Sequence, residues 1–307
     1  MLTLLLACTP ATDDPTAKVD EPYAPAPYIV AEADPPVASI SASELEGAIA
    51  EALSLGTAIR GDAVFPSYFA VMEGADEGCP NYYETDGNVY WYDACTSEDG
   101  TEFNGYSLYY YYDHTDAGDG SFYTGDAMSG VAQVRDADGN AFEAGGAAYD
   151  LKIEGDGFTY WYSVAQGGFS YDGPEAEGTW LEQGLSPDMV QIVYYVPNGE
   201  AKAYLLQGSV SGLTGTFTSA VFDGITMPDP TFAGYYEACA LEPGGVVSLR
   251  DEDGAWYDVL FDGYTDLQPT TPEGLCDGCG EAYYRGEALG TVCVDFTYLN
   301  SWEGAPW

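Results

Sequence analysis

CPNYYETDGNVYWYDACTSEDGTEFNGYSLYYYYD, residues 79–113, decides how the rest of the chain is read. Three aromatic runs are separated by two Asp-Gly pairs, and Cys79 and Cys95 bracket the first pair. Asp-Gly suits a tight hairpin turn, because one or both central residues need positive φ and glycine has no Cβ to clash. Cys79 and Cys95 are symmetric about Gly87, so a three-residue loop with a bulge sets them directly opposite each other. Opposed residues in an antiparallel pair lie roughly 4.5–5.5 Å apart at Cα, a separation that a disulfide spans. The expected unit is a hairpin stapled by Cys79–Cys95, with Tyr82, Tyr83, Tyr90, Trp91 and Tyr92 in cross-strand contact.

The same grammar repeats outward from this hairpin. Ten Asp-Gly pairs occur in the chain, nearly all between apolar or aromatic runs. Strands are expected over Phe103–Tyr112, Ser121–Val134, Ala141–Ile153, Phe158–Ala165, Met189–Val196, Ala201–Leu206 and Leu213–Phe222. Parallel pairing would need helical crossovers, and the sequence has almost none. The expected fold is therefore all-β, a large antiparallel meander closed as a barrel or folded as a sandwich, with one N-terminal amphipathic helix. Pro228, Asp229 and Pro230 mark a boundary. Residues 229–307, with four cysteines, form either a stapled subdomain or the last strands of the same sheet.

That helix is expected from about Ser41 to Leu55. Ser41 with Glu44, or Ser43 with Glu46, matches a capping box; Leu45, Ile49 and Leu53 share one face; Gly56 is placed to stop it. Such a helix ahead of a sheet is expected to pack on it or cover an open edge. From Asp62 onward the pattern reads as strands, so residues 38–228 form one helix-plus-sheet unit. Residues 8–37, rich in Pro, Ala, Asp and Glu, read as an extended solvated tether.

Charge narrows the partners. The chain carries 51 acidic and 7 basic residues, a formal net charge of −44. Nucleic-acid binding needs clustered Lys and Arg, so that class is excluded. Cations, cationic polymers and neutral glycans remain, and an acidic surface also keeps a protein hydrated in a salty medium.

Leu5-Leu6-Ala7-Cys8 resembles the lipobox of bacterial lipoprotein precursors. No Lys or Arg precedes it and the apolar run is only Leu2–Ala7, features that a start codon assigned too late would produce. The resemblance implies cleavage of residues 1–7, lipidation of Cys8 by a diacylglyceryl group and an N-acyl chain, and a lipid-anchored envelope protein. Thr9 in place of Asp implies the outer membrane. Spanning a bilayer takes about 20 apolar residues, and no stretch supplies them, so the membrane partner is reached through lipid alone. With Cys8 lipidated, six cysteines remain, an even number suited to an oxidising compartment. Beyond Cys79 and Cys95 these are Cys239, Cys276, Cys279 and Cys293, whose pairing the sequence leaves open. Cys276-Asp-Gly-Cys279 with Cys239 and Cys293 also has the ligand count of a thiolate zinc site, but no second C-x-x-C and no βαβ context accompany it, and disulfides are expected.

Catalytic motifs are missing: no G-x-S-x-G and no H-E-x-x-H occur, and His114, in an acidic loop, is the single histidine. Two acidic turns have spacing suited to calcium: Asp136, Asp138 and Asn140 in DADGN, and Asp251, Asp253 and Asp258 in DEDGAWYD. Neither completes an EF-hand loop, and ordinary hairpin turns explain both. Calcium is the one cofactor left open. Tyr- and Trp-rich strands can stack on sugars, although packing explains them by default. Two functions fit: an envelope lipoprotein with a structural or binding role, or a secreted-type hydrolase acting on glycans through paired carboxylates.

Overall fold

The computed structural model describes residues 38–85, 88–195, 201–228, 243–263 and 277–296. Cys8, the tether, Cys239 and Cys276 lie outside these residues. Among the described residues two α-helices, α1 (Ala42–Ala58) and α2 (Val64–Met72), precede thirteen strands. These are β1 (Tyr82–Thr85), β2 (Asn88–Thr96), β3 (Glu102–Asp116), β4 (Phe122–Arg135), β5 (Ala141–Gly155), β6 (Phe158–Asp172) and β7 (Ser186–Tyr195). They continue as β8 (Ala201–Ser211), β9 (Phe217–Pro228), β10 (Gly244–Asp251), β11 (Trp256–Asp262), β12 (Cys279–Tyr284) and β13 (Glu287–Cys293). Every strand pairs antiparallel with its sequence neighbours in one sheet of order β1 to β13. The expected meander is present. It is neither a closed barrel nor a sandwich but a single open sheet, and β9 pairs directly with β10 across the expected boundary.

The hairpin that opens the sheet departs from expectation by one residue. Thr85 pairs with Asn88 and Tyr82 with Trp91, so residues 86–87 alone connect the strands. That register places Cys79 outside the ladder, ahead of β1. The Cys79–Cys95 disulfide still forms from the loop ahead of β1, with Cα atoms 5.8 Å apart. Asp76 fixes that loop: its carboxylate accepts the backbone N–H groups of Gly78, Cys79 and Glu98.

Helix α1 begins as expected. Ser41 caps it, and Glu44 returns the hydrogen bond to the Ser41 N–H at 2.9 Å. Leu45, Ile49 and Leu53 are buried. Gly56, however, does not end the helix, which runs two residues further. A Cβ at Gly56 would lie 2.8 Å from the Phe222 ring, so glycine is there for close packing on β9.

The second helix was not expected. VFPSYFAVM reads as a strand by its β-branched and aromatic content, yet Pro66 sits in the first turn, where its missing N–H costs nothing. Burial of Val64, Phe65, Tyr68 and Val71 decides the matter, since most helix stability in proteins comes from packing.

The helical segment crosses the sheet from one end to the other, against the order of the strands. Ser39 meets the Tyr257 hydroxyl of β11, and Ala42 lies near Gly290 of β13. Gly56 rests on Leu206 of β8 and Phe222 of β9; Gly61 rests on the backbone of β5 and β6. Phe65 and Tyr68 pack their rings against Tyr109 of β3, and Tyr68 also meets Phe142 of β5. The side chains that receive the helices all belong to one face. The core lies between that face and the helices, and the other face points away from them.

Candidate functional site

The helix-covered face carries a row of polar residues where the two helices join. Asp126, Asp150, Ser163 and Gln191 stand opposite one another on successive strands β4 to β7. The Ser163 hydroxyl accepts the Gly61 N–H at 2.8 Å. The Gln191 amide donates to the carbonyls of Gly56 and Ile59 at 2.9 and 2.7 Å, and accepts the Tyr204 hydroxyl. Trp180 donates to the Arg60 carbonyl at 3.0 Å. These contacts satisfy backbone groups that a broken helix leaves unpaired, so this half of the row is structural.

The other half is a pair of carboxyls. Trp161 donates its indole N–H to Asp150 at 2.5 Å, and Tyr109 donates to Asp126 at 2.5 Å. Burial, then the Asp62 charge, push the Asp150 pKa up to about 7; burial raises Asp126 as well. Arg60 pairs with Asp62 at 2.6 Å and sits 5.6 Å from the Trp161 ring centre. Asp150 is only 8 % exposed, beneath the helix junction. Its surroundings stabilise a protonated acid but leave it little access to a substrate.

The opposite face is different in kind. Tyr83 (64 % exposed), Tyr90 (44 %), Tyr92 (74 %) and Tyr106 (45 %) lie together on it. Tyr83 stands opposite Tyr90, ring centres 5.5 Å apart and 25° from parallel; Tyr92, two residues along β2, stands opposite Tyr106. Tyr110 and Tyr112 continue the aromatic surface, stacked at 6.1 Å. Beside these rings runs a groove of about 660 Å³, with Asn104, Gln133, Glu143 and Ser170 on its wall and Val131, Gly145 and Gly168 in its floor. Packing is the default explanation of tyrosine-rich strands. It holds for Trp91, fully buried against Phe103, but not for these four tyrosines. Their parity with exposed Asn104 in the alternating pattern of Asn104, Tyr106, Leu108 and Tyr110 was the available signal.

The other candidate residues scatter. Asp136 accepts the backbone N–H groups of Asp138 and Asn140 and the Asn140 side-chain amide; Asp251 accepts those of Asp253 and Ala255. Both turns thus use their carboxylates on their own backbone. Asp258 is not in the second turn but fully buried on β11, where Ser248 donates to it at 2.5 Å and burial pushes its pKa up to about 6. Among the described residues, no three His, Cys, Asp or Glu side chains are placed to hold a metal ion. Cys279 stands opposite Cys293 and forms a disulfide with it, so it does not share a metal with Cys276. His114 has a left-handed backbone, φ 46°, at the irregularity between Tyr112 and Thr115, and stacks on Phe122 at 4.3 Å. Its Nδ1 lies 3.9 Å from a Glu154 carboxylate oxygen.

Comparison with known proteins adds no relative: no protein-family model, curated protein or solved structure matches the chain.

Proposed function

We propose that this chain is a lipid-anchored binding protein of the cell envelope, without catalytic activity, whose ligand surface is the helix-free face of β1–β6. One observation carries the reading: Tyr83, Tyr90, Tyr92 and Tyr106 are contiguous and exposed on a sheet whose other face already holds the core. Large aromatic rings left in water are costly unless something covers them, and a patch of this kind marks an interaction site. Lipobox-like Leu5–Cys8 and the following tether support display of that face away from a membrane. Two manipulations test the two halves. Cys8→Ser should move the protein from the membrane to the soluble fraction. Soluble Cys8→Ser protein, fluorescently labelled and added to washed host cells, should bind them, and Tyr92→Ala with Tyr106→Ala should remove that binding. Retained binding by the double variant would end the surface assignment, and unchanged fractionation would end the anchor.

A second reading has its own observation. Asp126 and Asp150 face each other, and a carboxyl poised near neutrality is what a glycan hydrolase needs as its acid. Release of reducing ends from a polysaccharide, abolished by Asp150→Asn, would favour it. Burial beneath the helix junction argues against it.

A further inference from the structure

We infer that the groove on the helix-free face binds a linear, uncharged polysaccharide lying across the strands of β2–β6, an inference that rests on that face being the ligand surface. Tyr92, Tyr106, Val131, Gly145 and Gly168 form one register row, each directly opposite the next on successive strands. Four strand spacings of about 4.8 Å give the row a length of roughly 19 Å. It begins on two exposed aromatic rings and ends on bare backbone. That is a straight track perpendicular to the strands, fitted to an extended polymer.

The two glycines in the floor are the telling part. Gly146 and Gly167 are required by the fold: a Cβ at Gly146 would collide with the Gln166 carbonyl, and Gly167 has φ 95°. Gly145 and Gly168 are under no such constraint. Neither has positive φ; a Cβ at Gly145 meets only the Gly168 carbonyl, at 3.5 Å, and one at Gly168 meets nothing within 4 Å. Both are exposed. Glycine in a strand interior weakens the strand, so a glycine that packing does not need marks a close approach by something else. Here the approach is from the solvent side.

The rows flanking the floor show what chemistry approaches. On one side stand Asn104, Gln133, Glu143 and Ser170; on the other, Leu108, Ser129, Ala147 and Gln166. Amides and hydroxyls both donate and accept, matching sugar hydroxyls, while Tyr92 and Tyr106 offer flat faces to sugar rings. Among the described residues no Lys or Arg lines the groove, and with a net charge of −44 an anionic polymer is repelled. One carboxylate among uncharged groups is too little to select a polycation.

Electrophoresis of soluble Cys8→Ser protein through gels containing laminarin, hydroxyethylcellulose, glucomannan, dextran, alginate or chitosan tests this. At least one neutral polymer should retard the protein. Gly145→Val with Gly168→Val, which fills the floor with good strand formers, should weaken that retardation roughly tenfold or more at an unchanged melting temperature. Retardation by alginate or chitosan alone, or by none of the six, overturns the inference. So does a valine variant that is retarded like its parent. If Tyr92→Ala with Tyr106→Ala still abolishes cell binding in that last case, the helix-free face stands and only the groove falls.

Discussion

Asp126 on β4 stands directly opposite Asp150 on β5, and each carboxyl is held by an aromatic donor, Tyr109 for the first and Trp161 for the second. Burial is the main cost of ionising either one, and for Asp150 the Asp62 charge and, least, the Asp126 charge add to it. Asp62 and Arg60 from the helix junction, paired at 2.6 Å, also act on Asp150, the first raising its pKa and the second lowering it.

Stability should therefore depend on pH in a defined sense. Asp150 titrates at about 7 when folded against 3.8 unfolded, and Asp258 at about 6. A raised carboxyl pKa means that the folded state holds the proton longer, so the contribution is full below pH 3.8 and lost as pH rises to about 7. Asp76, Asp93, Asp99 and Asp119 run the other way. Hydrogen bonds to the first two from the N–H groups of Glu98 and Asn81, and to the last two from the hydroxyls of Ser97 and Ser121, lower their pKa values, and they destabilise the fold on acidification. The melting temperature should peak in mildly acidic buffer and fall by several degrees toward pH 8. Asp150→Asn should flatten that alkaline fall; an unaltered slope would remove Asp150 as its source.

Two glycines in the helical segment should respond oppositely to alanine. At Gly47, on the exposed side of α1, a Cβ meets nothing within 4 Å. Gly47→Ala should stabilise the protein by about 0.5–1 kcal/mol through helix propensity. At Gly61 a Cβ collides with the carbonyls of Tyr149 and Val164, and Gly61→Ala should cost about 2 kcal/mol or more. Urea midpoints measure both.

Peptide mapping without reduction should recover Cys79 with Cys95 and Cys279 with Cys293. The two cysteines left beside Cys8 are Cys239 and Cys276, and a third linked fragment should join them. Cys79→Ala with Cys95→Ala should cost roughly 3 kcal/mol, the loop-closure term for a loop of about 15 residues. Free thiols at Cys239 and Cys276 in protein from its native compartment would refute the third pair.

Calcium and magnesium should raise the melting temperature equally. Asp136 and Asp251 already accept backbone amides in their own turns, so screening of the net charge is the effect expected of a divalent ion. A rise specific to calcium would establish DADGN and DEDGAWYD as candidate sites.

Turn chemistry made most of the sheet legible. Asp-Gly pairs between aromatic runs fixed where strands end, and Ser41 with Glu44 fixed where α1 begins, because both signals act over three or four residues. Relations that need the third dimension were hidden. A one-residue change in the first hairpin moved Cys79 out of the ladder while leaving its disulfide in place. Val64–Met72 has the composition of a strand, and only its packing against Tyr109 and Phe142 makes it a helix. Asp126 and Asp150 are ordinary acids in sequence, 24 positions apart, and become a pair only through the β4–β5 register. The idle glycines Gly145 and Gly168 could be told from the obligatory ones beside them only by what a Cβ would touch.

A strictly sequential sheet also fixes an order of assembly. Each strand finds its partner in the next stretch of chain, so pairing never waits for a distant segment, and hairpins can add one at a time from the N-terminal side. Helices α1 and α2 come first, and their junction is later gripped by Ser163 and Gln191, more than a hundred residues downstream. The early helices thus serve as a template on which arriving hairpins dock, and α1, whose start lies against β13, keeps part of its apolar stripe uncovered until the last strand is made. A nascent chain halted before β13 would carry that part of the stripe in the open, a state prone to aggregation.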